Sequence, residues 1–260
     1  MTVRWIRAAL AGVAALALGL TGCGDGGSAA TDRGGQVTVF AAASLTESFT
    51  KLGRDFEATH PGTTVTFNFA GSSALAIQIT QGAPADVFAA ASPATMKTVT
   101  EAGDAAGDPV TLVRNQLVIA VPKGNPHRVA GLADLARPGT KVALCAAQVP
   151  CGAAAGTALG AAGVRLTPVT LEQDVKGALA KVKLGEVDAA LVYRTDVRTA
   201  GDELDAVEFP ESARAVNDYP IVVLKRAGNP DGARAFVDYV RSDAGRAVLT
   251  AAGFQAPQGQ

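Results

Sequence analysis

Three serines and a tyrosine stand where apolar runs give way to helical spacing. Ser44 follows Val37-Thr38-Val39-Phe40 and three alanines, Ser72 and Ser73 follow Val65-Thr66-Phe67-Asn68-Phe69-Ala70-Gly71, and Tyr193 closes the run 187–192. Hydroxyls so placed can attack a substrate if a base activates them, or donate hydrogen bonds to an anion. The first chemistry lacks a base. His60 precedes Pro61-Gly62, His127 follows Asn125-Pro126, and no Gly-x-Ser-x-Gly elbow surrounds any of the serines. A hydrolase is therefore disfavoured, and the expectation is a protein that is not an enzyme.

The second chemistry has more material. Pro150-Cys151-Gly152 opens an alanine-rich helical stretch, and Asp174-Val175 opens another with Val175, Leu179 and Val182 on one face. The amides of Cys151 and Val175 then fall among the first-turn donors that no carbonyl of their own helix can satisfy. Each hydroxyl also has a structural reading. Ser44-Leu45-Thr46-Glu47 fits a capping box, Ser72 and Ser73 fit a cap after a glycine turn, and Tyr193 fits a core phenol.

The elements that would position these groups alternate. Strand then helix recurs from Val37, from Val65 and from Asp86, the last with Ser92-Pro93 as N-cap and first helical residue. Further strands are expected over 117–121, 141–144, 187–193 and 221–225, with a terminal helix carrying Phe236, Val240 and Leu249. This is an α/β pattern with mostly parallel sheet. The order of the segments suggests two lobes: residues 37–115 as lobe I, 116–218 as lobe II, and 219–254 returning to lobe I. The hinge is then crossed twice, with a cleft between the lobes. Ligands collect at the carboxyl ends of strands in such sheets, where helix N-termini aim free N–H groups outward.

Composition narrows the classes. Of 260 residues 48% are hydrophobic and 18% charged, which is too apolar for a disordered chain, and a net charge of -1 offers no surface for nucleic acid. Two histidines and three cysteines do not make a zinc pattern. The first 22 residues read as an export signal, with Arg4 and Arg7 ahead of an apolar run too short to span a bilayer. Leu20-Thr21-Gly22-Cys23 resembles a bacterial lipobox, which implies cleavage before Cys23 and lipid on it. An ordinary cleaved signal is the other reading. Residues 23–36 form a glycine-rich tether of about 20 Å reach, and 255–260 a frayed tail.

Five strings occur in a telling order: Val39-Phe40-Ala41-Ala42-Ala43-Ser44-Leu45-Thr46, Phe69-Ala70-Gly71-Ser72-Ser73, Gly82-Ala83-Pro84-Ala85-Asp86-Val87-Phe88, Val149-Pro150-Cys151-Gly152 and Ala190-Leu191-Val192-Tyr193. Together they resemble the molybdate-binding proteins of ABC importers, the ModA family, over about residues 37–254. The resemblance implies a two-lobed periplasmic-binding-protein fold of type II that holds molybdate or tungstate outside the cytoplasm. It implies ligand contacts from the hydroxyls and amides of Ser44 and Ser72, the amides of Cys151 and Val175, and the phenol of Tyr193. Molybdenum would be met only through its oxyanion oxygens, with no protein–metal bond and no cofactor. The implied partners are an ABC permease with its ATPase, and the membrane through the lipid on Cys23; the protein itself is expected to be a monomer. Cys151 stands where many relatives have alanine, and outside the cytoplasm a Cys145–Cys151 disulfide is expected. Other oxyanions, sulfate and phosphate, are the alternative ligands.

Overall fold

The computed structural model describes residues 35–258. The expected export signal, Cys23 and the expected tether as far as residue 34 lie outside the described residues. In chain order the elements are β1 (Gln36–Ala42), a 3-10 turn (Ala43–Leu45), α1 (Thr46–Thr59), β2 (Thr64–Ala70), α2 (Ser72–Thr80), β3 (Val87–Ala89), α3 (Pro93–Glu101), β4 (Val110–Asn115) and β5 (Leu117–Pro122). There follow β6 (Val142–Cys145), α4 (Pro150–Ala162), β7 (Thr170–Glu172), α5 (Val175–Lys183), β8 (Ala189–Tyr193), α6 (Arg194–Ala200), β9 (Leu204–Val207), β10 (Asn217–Val223), α7 (Pro230–Arg241) and α8 (Asp243–Ala252).

Two five-stranded sheets result, ordered β2-β1-β3-β10-β4 and β7-β6-β8-β5-β9. Each has three neighbouring parallel strands, then one strand running back, then an outer strand in the original direction. The reversed strands, β5 and β10, are those the chain enters on crossing from the other sheet. Only Gln116 separates β4 from β5, so β5 enters its sheet from the carboxyl edge and must oppose β6 and β8. The expected mostly parallel sheets therefore each contain one antiparallel strand, for a reason of connectivity.

Side-chain alternation puts helices on both faces of the first sheet. Val37, Val39 and Ala41 face α1, whose Phe49, Leu52 and Phe56 are buried at helical spacing. Phe56 meets Phe236 of α7 edge to face, with ring centroids 5.4 Å apart. Phe40 and Phe88 point the other way and bury against Leu75 and Ile79 of α2 and Met96 of α3. So clamped, the ends of β1, β2 and β3 are level: Ala42 pairs with Ala70, and Ala41 with Ala89. That register sets Ser44, Ser72 and Ala91 side by side.

Several sequence expectations change. The strand expected at 221–225 begins at Asn217, which pairs with Asn115, so Asn217 and Asp218 belong to the first sheet. The terminal helix is two helices, because Ser242 ends α7 and caps α8 by accepting from the Gly245 amide at 3.2 Å. Gln255, expected in a frayed tail, exchanges two backbone hydrogen bonds with Arg114. The strands not foreseen, β4, β7 and β9, are all sheet edges. Short, half-exposed edge strands lack the apolar run by which a central strand is recognised.

Candidate functional site

At the carboxyl ends of both sheets one cavity is lined by Ser44, Ser72, Cys151, Val175 and Tyr193, together with Gly71, Ala91, Asp174 and neighbouring small residues. It is small, about 20 Å³ of space for the centre of a water molecule. All five residues singled out for ligand contact thus face one space, from opposite halves of the molecule. His60 is elsewhere, stacked on Phe56 at 3.9 Å, and His127 lies 3.2 Å from Asp188. None of the residues lining the cavity is lysine, arginine or histidine.

Ser44 does not cap. It sits in the 3-10 turn before α1, no side chain caps α1, and its Oγ lies 2.9 Å from the Tyr219 hydroxyl. Glu47, the expected capping-box partner, instead receives Lys176 Nζ at 2.8 and 2.9 Å. The capping-box reading is corrected: both groups are used across the molecule, because α5 of the second half packs against this turn. Ser72 does not cap either. Gly71 is the N-cap of α2 without a side-chain bond, and Ser72 Oγ accepts from the Ala91 amide at 2.9 Å.

Backbone donors complete the wall. Ser72 and Val175 are the first residues of α2 and α5, and Cys151 is the second of α4, behind Pro150. Their amides have no carbonyl one turn earlier in their own helices, and the helix dipoles add a positive field. Asp174 caps α5, its Oδ1 accepting from the Gly177 amide at 2.9 Å. Cys145 and Cys151 are joined, with Cα atoms 5.7 Å apart, so a short covalent ring ties the end of β6 to the first turn of α4. Gly152 lets that ring close, since a Cβ there would collide with the Ala146 carbonyl.

The two halves touch beside the cavity. Ser73 Oγ donates to the Gln148 carbonyl at 2.7 Å, and a Cβ at Gly71 would strike the Gln173 carbonyl. Lys176 bridges Glu47 of α1 to Asp196 of α6, whose Oδ1 lies 3.1 Å away without an aligned hydrogen bond. Asp196 Oδ2 accepts from the Tyr193 amide at 3.2 Å. Burial pushes the Asp196 carboxyl up to about 6, Lys176 pulling the other way. Burial also lowers Lys176, but Asp196 and Glu47 outweigh it and hold the ammonium above its ordinary range.

Around these lies a polar layer that sequence reading passed over. Tyr219 and Asn115 are fully buried, and the Asn115 amide donates to Thr195 Oγ1 at 2.8 Å. Asn217 donates to the Ala91 carbonyl at 2.6 Å and to the Tyr193 hydroxyl at 3.0 Å. Burial raises both phenols, Tyr193 well above its ordinary value, so each keeps its proton at neutral pH. Asn217 and Tyr219 precede the apolar run that marks their strand in sequence. The one signal was a pair of polar residues followed by an aromatic ahead of an apolar run.

Residues 37–255 match the family model described as bacterial extracellular solute-binding protein. The chain is 44% identical to the molybdate-binding protein ModA of Mycobacterium tuberculosis over 98% of its own length and all of that protein's. It is 32% identical to ModA of Escherichia coli, covering 88% of this chain and 91% of that one. Among solved structures it resembles the periplasmic molybdate-binding protein of Azotobacter vinelandii, with TM-score 0.74, 19% identity, and coverage of 85% of this chain and all of that one. The sulfate-binding protein SubI of M. tuberculosis shares the fold at TM-score 0.72 and 18% identity, over 86% and 88% of the two chains. With full-length identity of this order, two sheets in type II order and helix N-termini from both halves meeting at one cavity, the chain belongs to the ModA family of molybdate-binding proteins among the bacterial extracellular solute-binding proteins.

Proposed function

We propose that this protein captures molybdate, and tungstate with it, outside the cytoplasm and delivers it to the permease and ATPase of an ABC importer. The observation that carries this is a cavity walled by hydroxyls and helix-start amides from both halves, without a lysine or arginine among its lining residues. Molybdate at neutral pH is an unprotonated dianion, so all its oxygens accept. A hydrogen bond to a charged partner contributes on the order of 1.5–3 kcal/mol net, so about six aligned donors offset its dehydration without a cation in contact. The ligand would touch the hydroxyls and amides of Ser44 and Ser72, the amides of Cys151 and Val175, and the phenol of Tyr193.

Binding from both sides favours the closed arrangement, which is the form a permease would recognise. We place the lobes at residues 37–115 with 217–254, and 116–216, the two crossings forming the hinge. The protein acts as a monomer, held at the outer face of the membrane through lipid on Cys23.

Calorimetric titration with molybdate, tungstate, sulfate and phosphate tests the ligand. Tight binding of the first two with weak binding of the others is expected. Preference for sulfate, whose oxygens also only accept, would move the function to that anion, and preference for phosphate would overturn the donor-only account. Mass spectrometry of the mature N-terminus tests the lipid.

A further inference from the structure

We infer that Asn217, which does not line the cavity, is a positioning residue that turns the Tyr193 proton into it, so that this phenol donates to a bare oxyanion and offers no lone pair to one that carries a proton. This rests on the proposed function, since it concerns how the same site reads its ligand. The inference follows from which partners can only donate and which can only accept. The Ala91 carbonyl can only accept, and it lies 2.6 Å from Asn217 Nδ2, which fixes the orientation of that amide. The second N–H of the same nitrogen points at the Tyr193 hydroxyl, 3.0 Å away. The phenol oxygen therefore accepts from behind, and its own proton must leave in another direction. Among the described residues no aligned acceptor lies within hydrogen-bond distance of that proton, the neighbouring Tyr219 hydroxyl being paired with Ser44 Oγ, and the Tyr193 side chain borders the cavity.

The same residue disposes of a second proton. The Ala91 amide can only donate, and it donates to Ser72 Oγ at 2.9 Å, leaving the Ser72 hydroxyl proton free for the cavity. Ala91 is held in turn by its neighbour, the Ala90 amide donating to the Pro220 carbonyl at 2.9 Å. One peptide segment past β3 thus commits a hydroxyl from each half of the molecule to donation. A hydrogen phosphate dianion needs one acceptor for its own proton, and the Tyr193 hydroxyl, its lone-pair side taken by Asn217, does not supply one. The carboxylate on the wall, Asp174, has one oxygen engaged with the Gly177 amide, and its other oxygen is untouched by a substitution at Asn217.

The test is Asn217→Asp. Ionised or protonated, an aspartate oxygen beside the phenol accepts its proton, so Tyr193 presents a lone pair to the cavity. Molybdate and hydrogen phosphate carry the same charge at pH 8, so the ratio of their affinities cancels the added charge and reports proton direction. Calorimetry on parent and variant should show that ratio falling roughly tenfold or more, with hydrogen phosphate gaining relative to molybdate. The same substitution in a Tyr193→Phe background should leave the ratio unmoved, since Asn217 then has no phenol to orient. Asn217→Ala serves as a second variant if the aspartate does not fold, and should lower the ratio less because the phenol becomes free to turn either way. An unchanged ratio in folded variants of a molybdate-binding parent overturns this inference and leaves the proposed function standing. A parent that binds sulfate instead overturns that function alone, the sulfate to hydrogen phosphate ratio then being read. A parent that binds no oxyanion overturns both.

Discussion

Ser44 and Ser72 show how one residue type is put to different use by what lies behind it. Ser72 Oγ accepts from a backbone amide, while Ser44 Oγ pairs with the Tyr219 hydroxyl, a group that can donate or accept. Removing Ser72 leaves the Ala91 amide buried without its partner; removing Ser44 leaves the Tyr219 oxygen still accepting from the Asn115 amide, 3.5 Å away. Ser72→Ala should therefore cost both affinity and fold stability, the latter by about 1–3 kcal/mol. Ser44→Ala should cost mainly affinity, roughly tenfold to hundredfold for one charge-assisted bond. Calorimetry beside urea unfolding separates the two.

Among elements, the packing of α1, α5 and α6 makes the more consequential contact. Lys176 stands between Glu47 and the fully buried Asp196, linking the two halves. Asp196 is raised from 3.8 to about 6 by burial, so the folded protein holds its proton more tightly than the unfolded chain. The sign follows: stability from this group is greatest below pH 4 and declines as pH rises toward 6, by about 3 kcal/mol in all. Urea unfolding at stepped pH should show that decline in the parent and a flatter curve in Asp196→Asn. At the start of α4, the Cys145–Cys151 ring fixes the turn that carries the Cys151 amide. The Cys145→Ala, Cys151→Ala double variant should lose about 2 kcal/mol of stability in the chain-entropy model. It should also bind molybdate more weakly, because the amide must then be ordered on binding. Equal affinity in calorimetry would show that the ring serves stability alone.

For the molecule as a whole, the proposed closure of the two lobes depends on the close approach at Gly71. A methyl group there would meet the Gln173 carbonyl of the other half, while the position touches nothing else so closely. Gly71→Ala should fold and melt like the parent without ligand but bind molybdate more weakly by roughly 1–3 kcal/mol, the usual cost of overpacking. Small-angle scattering should show the parent contracting on adding molybdate and the variant contracting less. Intrinsic fluorescence offers a second view. The sole tryptophan, Trp5, lies within the proposed export signal, so emission from a protein lacking residues 1–22 comes from its three tyrosines. Two of these, Tyr193 and Tyr219, are buried together with ring centroids 5.8 Å apart, so molybdate should change that emission and sulfate should change it less.

Local chemistry and periodicity sufficed for much of this. Apolar runs marked the central strands β1, β5 and β8, alternation marked the edge strand β2, and Pro150 and Asp174 marked the starts of α4 and α5. Hydroxyls placed just past strand ends could be picked out because the α/β pattern says where such ends gather. What the chain did not reveal depends on partners far away in sequence. Whether Ser44 caps its helix or bonds Tyr219, 175 positions on, is a contest between local backbone donors and a distant hydroxyl, and packing decides it. The edge strands β4, β7 and β9, the reversed strands β5 and β10, and the Asn217–Ala91–Ser72 chain of donors exist only once each sheet is assembled. Hydrogen-bond direction is a property of both partners, and a sequence read locally supplies one of them.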